Sequence, residues 1–175
     1  LELQNHHWNA AMTTLEKVRK HKVIDEAQAN KDEIALLMIL AEEDRIASNE
    51  HAWLKKIERA LKLDPGFTPA AQKLGEHWLT KNKNGKVQII VERAWKINPH
   101  PDLAALWDKI APENKASDPL RRLRWFEKLV AIKPDSVDGQ LAAAKAAMDA
   151  GLSGESKAYL TMAESLRPTA QVYRL

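Results

Sequence analysis

Four stretches of the chain end alike: IERALKLDP at Pro65, VERAWKINP at Pro99, FEKLVAIKP at Pro134 and TMAESLRP at Pro168. The prolines stand 34, 35 and 34 residues apart. Each stretch pairs apolar residues at helical spacing with a proline, which has no N–H to continue a helix and so stops it. A unit of this length is too short to bury an apolar face by itself. It must stack on its neighbours, and this restricts the chain to repeated helical pairs more tightly than composition does.

The period is that of the tetratricopeptide repeat (TPR), two antiparallel helices and their turns. In that numbering Leu40, Ala60 and Pro65 fall at positions 7, 27 and 32, and Leu74, Gly75, Trp78, Ala94 and Pro99 at 7, 8, 11, 27 and 32. Small residues at such places allow close approach of helices, so Ala60 and Ala94 are expected at tight contacts. The expected fold is all-α, a TPR-like α-solenoid forming a right-handed superhelix of antiparallel helix pairs. We assign a single domain over 1–175: a partial unit 1–24, repeats at about 25–66, 67–99, 100–135 and 136–168, and the start of a further helix at 169–175. The chain begins at Leu1 without Met and stops at VYRL inside an apparent helix, as expected of a fragment of a longer protein.

In chain order, His7 to Val23 places Trp8, Ala11, Leu15 and Val18 on one stripe and predicts a second helix whose partner is missing. A long helix from about Asp25 to Ala47 and another over Glu50 to Leu63 complete the first full unit. Thr68 is expected as an N-cap with Pro69 in the first turn. Gly85 is expected to take positive φ in the turn Asn82 to Gly85 before a helix over Lys86 to Ile97. The third unit is irregular: LAALWDKI starts early after His100-Pro101-Asp102, a long loop covers Ala111 to Asp118, and Pro119 to Ile132 form the partner. The fourth has Val137 to Ala150, a stop at Gly151, Gly154 in the turn and Glu155 to Leu166.

Composition, 45% hydrophobic and 29% charged, is that of a globular chain. No cysteine is present, which removes disulfides, thiolate nucleophiles and zinc-thiolate sites. The longest uncharged apolar run, Ile34 to Ala41, falls well short of the roughly 20 residues of a membrane span, so the piece itself is expected to be a soluble domain. The formal charge of +3 is uneven: Lys and Arg number ten against twelve acids in 1–66, thirteen against seven in 67–133, and four against five in 134–175. A central basic surplus suits either a solvated face or an anionic partner.

No motif for nucleotide binding, zinc hydrolysis or a serine nucleophile occurs, and we assign no catalytic, metal or cofactor-binding residue. Glu42, Glu43 and Asp44 are consecutive on a helix and point in different directions, which makes a poor acid–base pair. Of His6, His7, His21, His51, His77 and His100, none pairs with another at i,i+4 on one helix. His100, between two prolines, is the best single ligand candidate, although capping of the next helix suits it better. Trp8, Trp53, Trp78, Trp95, Trp107 and Trp125 are expected to fill gaps between repeats, with Trp95 as the exception left partly exposed.

TPR arrays bind in the concave groove lined by first helices, at positions 2, 5, 9 and 12. These fall at Met38, Glu42 and Arg45, at Gln72, Glu76 and Leu79, and at Leu141, Lys145 and Met148. The set lacks a Lys/Asn/Arg clamp for a terminal carboxylate. It suits a helix or extended segment of another protein, which makes the chain a non-catalytic scaffold for protein–protein interaction and not an enzyme. Two alternatives are a direct haem or porphyrin carrier and a nucleic-acid-binding repeat. The latter would use Arg121, Arg122, Arg124, Lys128 and the lysines from Lys81 to Lys96, and would need aromatics interleaved on that surface; no nucleic acid is expected.

The runs ALKLDPGFTPAA (60–71), ERAWKINPHPDLAALW (92–107) and RPTAQVYRL (167–175) resemble the C-terminal TPR region of the bacterial HemY family. The most specific part is Pro99 to Ala104, a run that a generic TPR does not need. The resemblance implies a protein of the bacterial inner membrane, tethered by an N-terminal anchor outside this chain, on a side that stays open. It also implies an accessory part in a late step of haem (protohaem, hence porphyrin) biosynthesis, with haem-pathway enzymes as candidate partners.

Overall fold

The computed structural model describes residues 2–113, 115, 118 and 120–166. Expectations for Pro119, for Pro168 and for the helix at 169–175, like the side chain of His6, lie outside what is described. Nine helices follow in order among the described residues: α1 (Glu2–Lys20), α2 (Glu26–Ile46), α3 (Glu50–Leu63), α4 (Thr68–Thr80), α5 (Asn84–Ile97), α6 (Pro101–Lys109), α7 (Arg121–Ile132), α8 (Val137–Asp149) and α9 (Ser153–Leu166). An isolated bridge between Lys115 and Asp118 is the extent of β pairing there. The fold is all-α and TPR-like, as the proline period requires.

The helices begin and end where the chain chemistry dictates. Asp25, Asn49 and Ser136 cap α2, α3 and α8 by accepting from the N–H groups of Gln28, Ala52 and Gly139. Thr68 is no such cap: it is already helical, and the Phe67 carbonyl accepts from Ala71 N–H at 3.2 Å. Two glycines expected in turns lie inside helices, Gly85 in α5 and Gly154 in α9; the left-handed conformation falls on Asn82 (φ 55) and Gly151 (φ 75). Asp64, Asn98 and Lys133, each followed by one of the repeat prolines, turn extended after α3, α5 and α7.

Two compact units divide the chain, Leu1–Leu74 and Gly75–Leu175. In the first, α2 packs against both α1 and α3. Its core holds Ala29, Ile34, Leu37, Leu40, Ala41, Trp53, Ile57 and Ala60. A carboxylate sits among them: Glu33, buried on α2, accepts from Arg19 Nη1 of α1 at 2.5 Å and pairs with Arg59 Nη2 of α3 at 2.5 Å.

In the second unit contacts join α5 to α6 and α7, and α8 to α6, α7 and α9, so elements one and two steps apart pack together. Trp95 is at its centre. The expectation that it would be partly exposed is wrong: its indole is 0% exposed, Nε1 donates to the Leu129 carbonyl at 3.0 Å, and Gly139 leaves room for the ring edge. Ala94 beside it is equally buried. A Cβ on Gly75 of α4 would lie 2.2 Å from Leu106 Cδ2 of α6, so any larger residue there would force the buried Leu106 side chain to move. α6 and α7 are joined by Trp107 and Trp125, stacked at 4.5 Å and 20°. Each indole N–H donates to the other residue's carbonyl, at 3.1 and 3.3 Å.

Candidate partner-binding groove

α6 and α8 come together with the side of α7 beneath them, and the side chains facing the gap are small. Ala104 and Ala105 on α6 and Ala142 and Ala146 on α8 offer only methyl groups, so the helices approach without filling the space. The result is a cleft of about 510 Å³ floored by Phe126 and Leu141. Pro101 starts α6 at its edge, fixed by His100, whose Nδ1 accepts from Asp102 N–H at 3.2 Å. The imidazole therefore acts as a helix cap.

The rim is charged. Asp108, Asp138 and Asp149 face Lys109 and Lys145 around the apolar floor. Asp108 is taken up by Arg122, and Lys109 approaches Glu76 at 3.7 Å. Asp138 differs in its environment, because burial pushes its carboxyl above the usual range while nearby His100 pulls the other way. A cation from outside would relieve that cost.

Of the residues expected to line a groove, Leu141 and Lys145 do so, whereas Met148, one turn further along α8, is 64% exposed and does not line the cleft. Met38, Glu42 and Arg45 share a face of α2. Arg45 there donates to Glu42 at 2.9 and 2.6 Å, and Lys73 reaches the same carboxylate at 3.4 Å. The Arg45 hydrogen bond first, and the Lys73 bond after it, hold Glu42 below the ordinary carboxylate range. Gln72, Glu76 and Leu79 share a face of α4 and are half-buried. The contribution of α6 escaped sequence reasoning because groove positions follow the 34-residue spacing, and α6 starts early, directly after His100. The signal was present in the small pair Ala104-Ala105 set among the larger apolar residues Leu103, Leu106 and Trp107 of α6.

Among the described residues no group of three or more His, Asp or Glu is placed to hold a metal ion. Glu42 and Asp44 of the acidic triplet are committed to cations, Asp44 to Lys56. No described helix is long and apolar enough to cross a membrane. A scan against protein-family models finds no match, and a search of curated proteins finds none. Among solved structures the chain is similar to one described as the crystal structure of MamA protein, at 18% identity over 96% of each chain with a TM-score of 0.43. At that level the fold class stands on the helices of this chain alone.

Proposed function

We propose that the chain is a non-catalytic TPR-like scaffold whose α6–α8 cleft receives an apolar helical segment of a partner protein carrying a basic side chain. The supporting observation is the pairing of an apolar, methyl-lined floor with the partly buried Asp138 at its rim. Apolar anchors at i and i+4 of a helix would seat on Phe126 and Leu141, and a Lys or Arg would reach Asp138. The faces at Met38, Glu42, Arg45 and at Gln72, Glu76, Leu79 are proposed as further contact surfaces on the same reading.

The haem-pathway part of the proposal, with partners among haem-biosynthesis enzymes and an anchor in the inner membrane of the full-length protein, rests on the sequence resemblance in 60–71, 92–107 and 167–175. The direct test is a helical-peptide library selected in parallel on this chain and on Ala142→Trp, whose indole would fill the cleft. Peptides with apolar residues at i,i+4 and an adjacent Lys or Arg should be enriched on the parent and lost on the variant, and Asp138→Asn should weaken only the basic ones. Equal enrichment on parent and Ala142→Trp would reject the cleft as the site.

A further inference from the structure

A second recess lies on the other side of α7, away from the α6–α8 cleft. It encloses about 400 Å³ between Ile110 and Pro112, which follow α6, and Arg121, Arg124, Trp125 and Lys128 of α7. The four α7 residues stand at i, i+3, i+4 and i+7 and so form one stripe of the helix. Arg124 pairs with Asp118 at 2.6 Å and is still 60% exposed at its side chain. Arg121 and Lys128 have no carboxylate partner among the described residues. The first turn of α7 has no acid and starts with Arg121 and Arg122, so its cations lie at the positive pole of the helix dipole, where they repel it. An apolar hollow flanked by two cations without a carboxylate partner, Arg121 and Lys128, suits an apolar group set between anions.

The aromatic at its base decides between kinds of anion. Trp107 is stacked on Trp125 at 4.5 Å, and the Lys128 ammonium lies over the Trp125 ring, 4.4 Å from its centroid. The indole N–H is engaged with the Trp107 carbonyl. Little free face is left for a nucleobase to stack on, and single-strand binders depend on such a face. Ile110, Pro112 and Trp125 are recessed and half-buried, whereas residues that enter a bilayer project from the surface. Carboxylates suit Arg121 and Lys128, because a guanidinium forks onto them and an ammonium pairs with them as a point charge.

We infer that this recess on α7 is a docking site for an acidic segment of a partner protein, with one bulky apolar side chain set against Ile110, Pro112 and the edge of Trp125 between carboxylates that meet Arg121 and Lys128. It is separate from the cleft on the other side of α7 and does not depend on that reading.

The test is fluorescence anisotropy on the whole chain with a labelled dodecapeptide of Glu and Asp around a central Leu-Phe, beside an equally acidic peptide with Ser-Ser at its centre. Oligouridylate and phosphatidylserine vesicles are titrated in parallel. The Leu-Phe peptide should bind saturably and better than the Ser-Ser peptide, and added salt should weaken it. Arg121→Glu and Lys128→Glu should each reduce binding by about tenfold, since each removes an attraction and adds a repulsion. Circular dichroism checks that these exposed substitutions leave the helices intact. Ala142→Trp should leave this binding unchanged, which keeps it distinct from the cleft. Failure to bind, indifference to both charge reversals, equal binding of the Ser-Ser peptide, or tighter binding of oligouridylate or vesicles would each overturn the assignment.

Discussion

Glu33 shows how one side chain can join three helices. Its carboxylate is 3% exposed on α2, with Arg19 of α1 hydrogen-bonded to one oxygen and Arg59 of α3 ion-paired to the other. Arg19 also donates to Asn30 at 2.7 Å. Removing the carboxylate leaves two guanidinium groups facing each other across a buried site, though both can turn partly to water. Glu33→Ala should therefore cost about 1.5–3 kcal/mol, the range for hydrogen bonds to charged groups, read as a lower denaturant midpoint with an unchanged slope. A loss below a few tenths of a kcal/mol would mean that the arginines gain as much from water. Tyr159 carries a pH-dependent contribution in the second unit. Its hydroxyl donates to Glu127 Oε1 at 2.8 Å, and burial, reinforced by that bond, pushes its pKa up to about 12 from 10.0. The folded state holds the proton more tightly than the unfolded one, so this stabilisation is whole below pH 10 and is lost as pH rises towards 12. Tyr159→Phe should lower stability at pH 8 by about 1 kcal/mol and flatten the alkaline decline in that window. An identical decline in the variant would assign it to other groups.

Two kinds of connection recur between elements. After α3, α5 and α7 the chain turns extended into a proline, and these ends were legible because proline stops a helix wherever it stands. After α1, α2, α4 and α8 the helix closes through a left-handed residue instead: Lys22, Ser48, Asn82 and Gly151, with φ of 54, 56, 55 and 75. In each, the next residue's N–H reaches back five positions, as in Lys83 to the Trp78 carbonyl at 2.9 Å and Leu152 to the Ala147 carbonyl at 2.9 Å. Three of these four sites lack glycine, which is why, within the expected turn Asn82 to Gly85, the positive φ is expected at Gly85 and not at Asn82. Side-chain preference for the left-handed region is weaker than the demand of the helix end, so the backbone overrode it at Lys22 and Ser48. Ser48 is exposed and gains nothing visible from its Cβ, so Ser48→Gly should raise stability by about 0.5–1 kcal/mol despite the greater freedom of glycine when unfolded. Asn82→Gly should gain less, because Asn already tolerates that conformation. Thermal melts of the two variants against the parent check both, and a lower midpoint for Ser48→Gly would show that the left-handed φ carries no strain.

At the scale of the whole chain, the proline period made the class of fold legible, and apolar spacing gave most of the core. What period and spacing could not show was how side chains from non-consecutive helices converge. Trp95 is expected to be partly exposed from its position, and only the meeting of α5, α7 and α8 buries it; the cleft stayed hidden for the same reason, since α6 and α8 are not consecutive in the chain. Stability in stacked helical units is a sum of local terms and nearest-neighbour terms, so damage should stay close to its origin. Trp95→Ala removes a fully buried indole and its hydrogen bond to Leu129, a loss of about 3–5 kcal/mol for the unit it centres. Glu33→Ala acts on α1, α2 and α3 alone. Native-state hydrogen exchange should then separate the two variants: Trp95→Ala lowers amide protection in α5, α7 and α8 while α2 and α3 keep theirs, and Glu33→Ala does the reverse. Uniform loss of protection in either variant would mean that the two units unfold as one, and the nearest-neighbour description would give way to a single cooperative core.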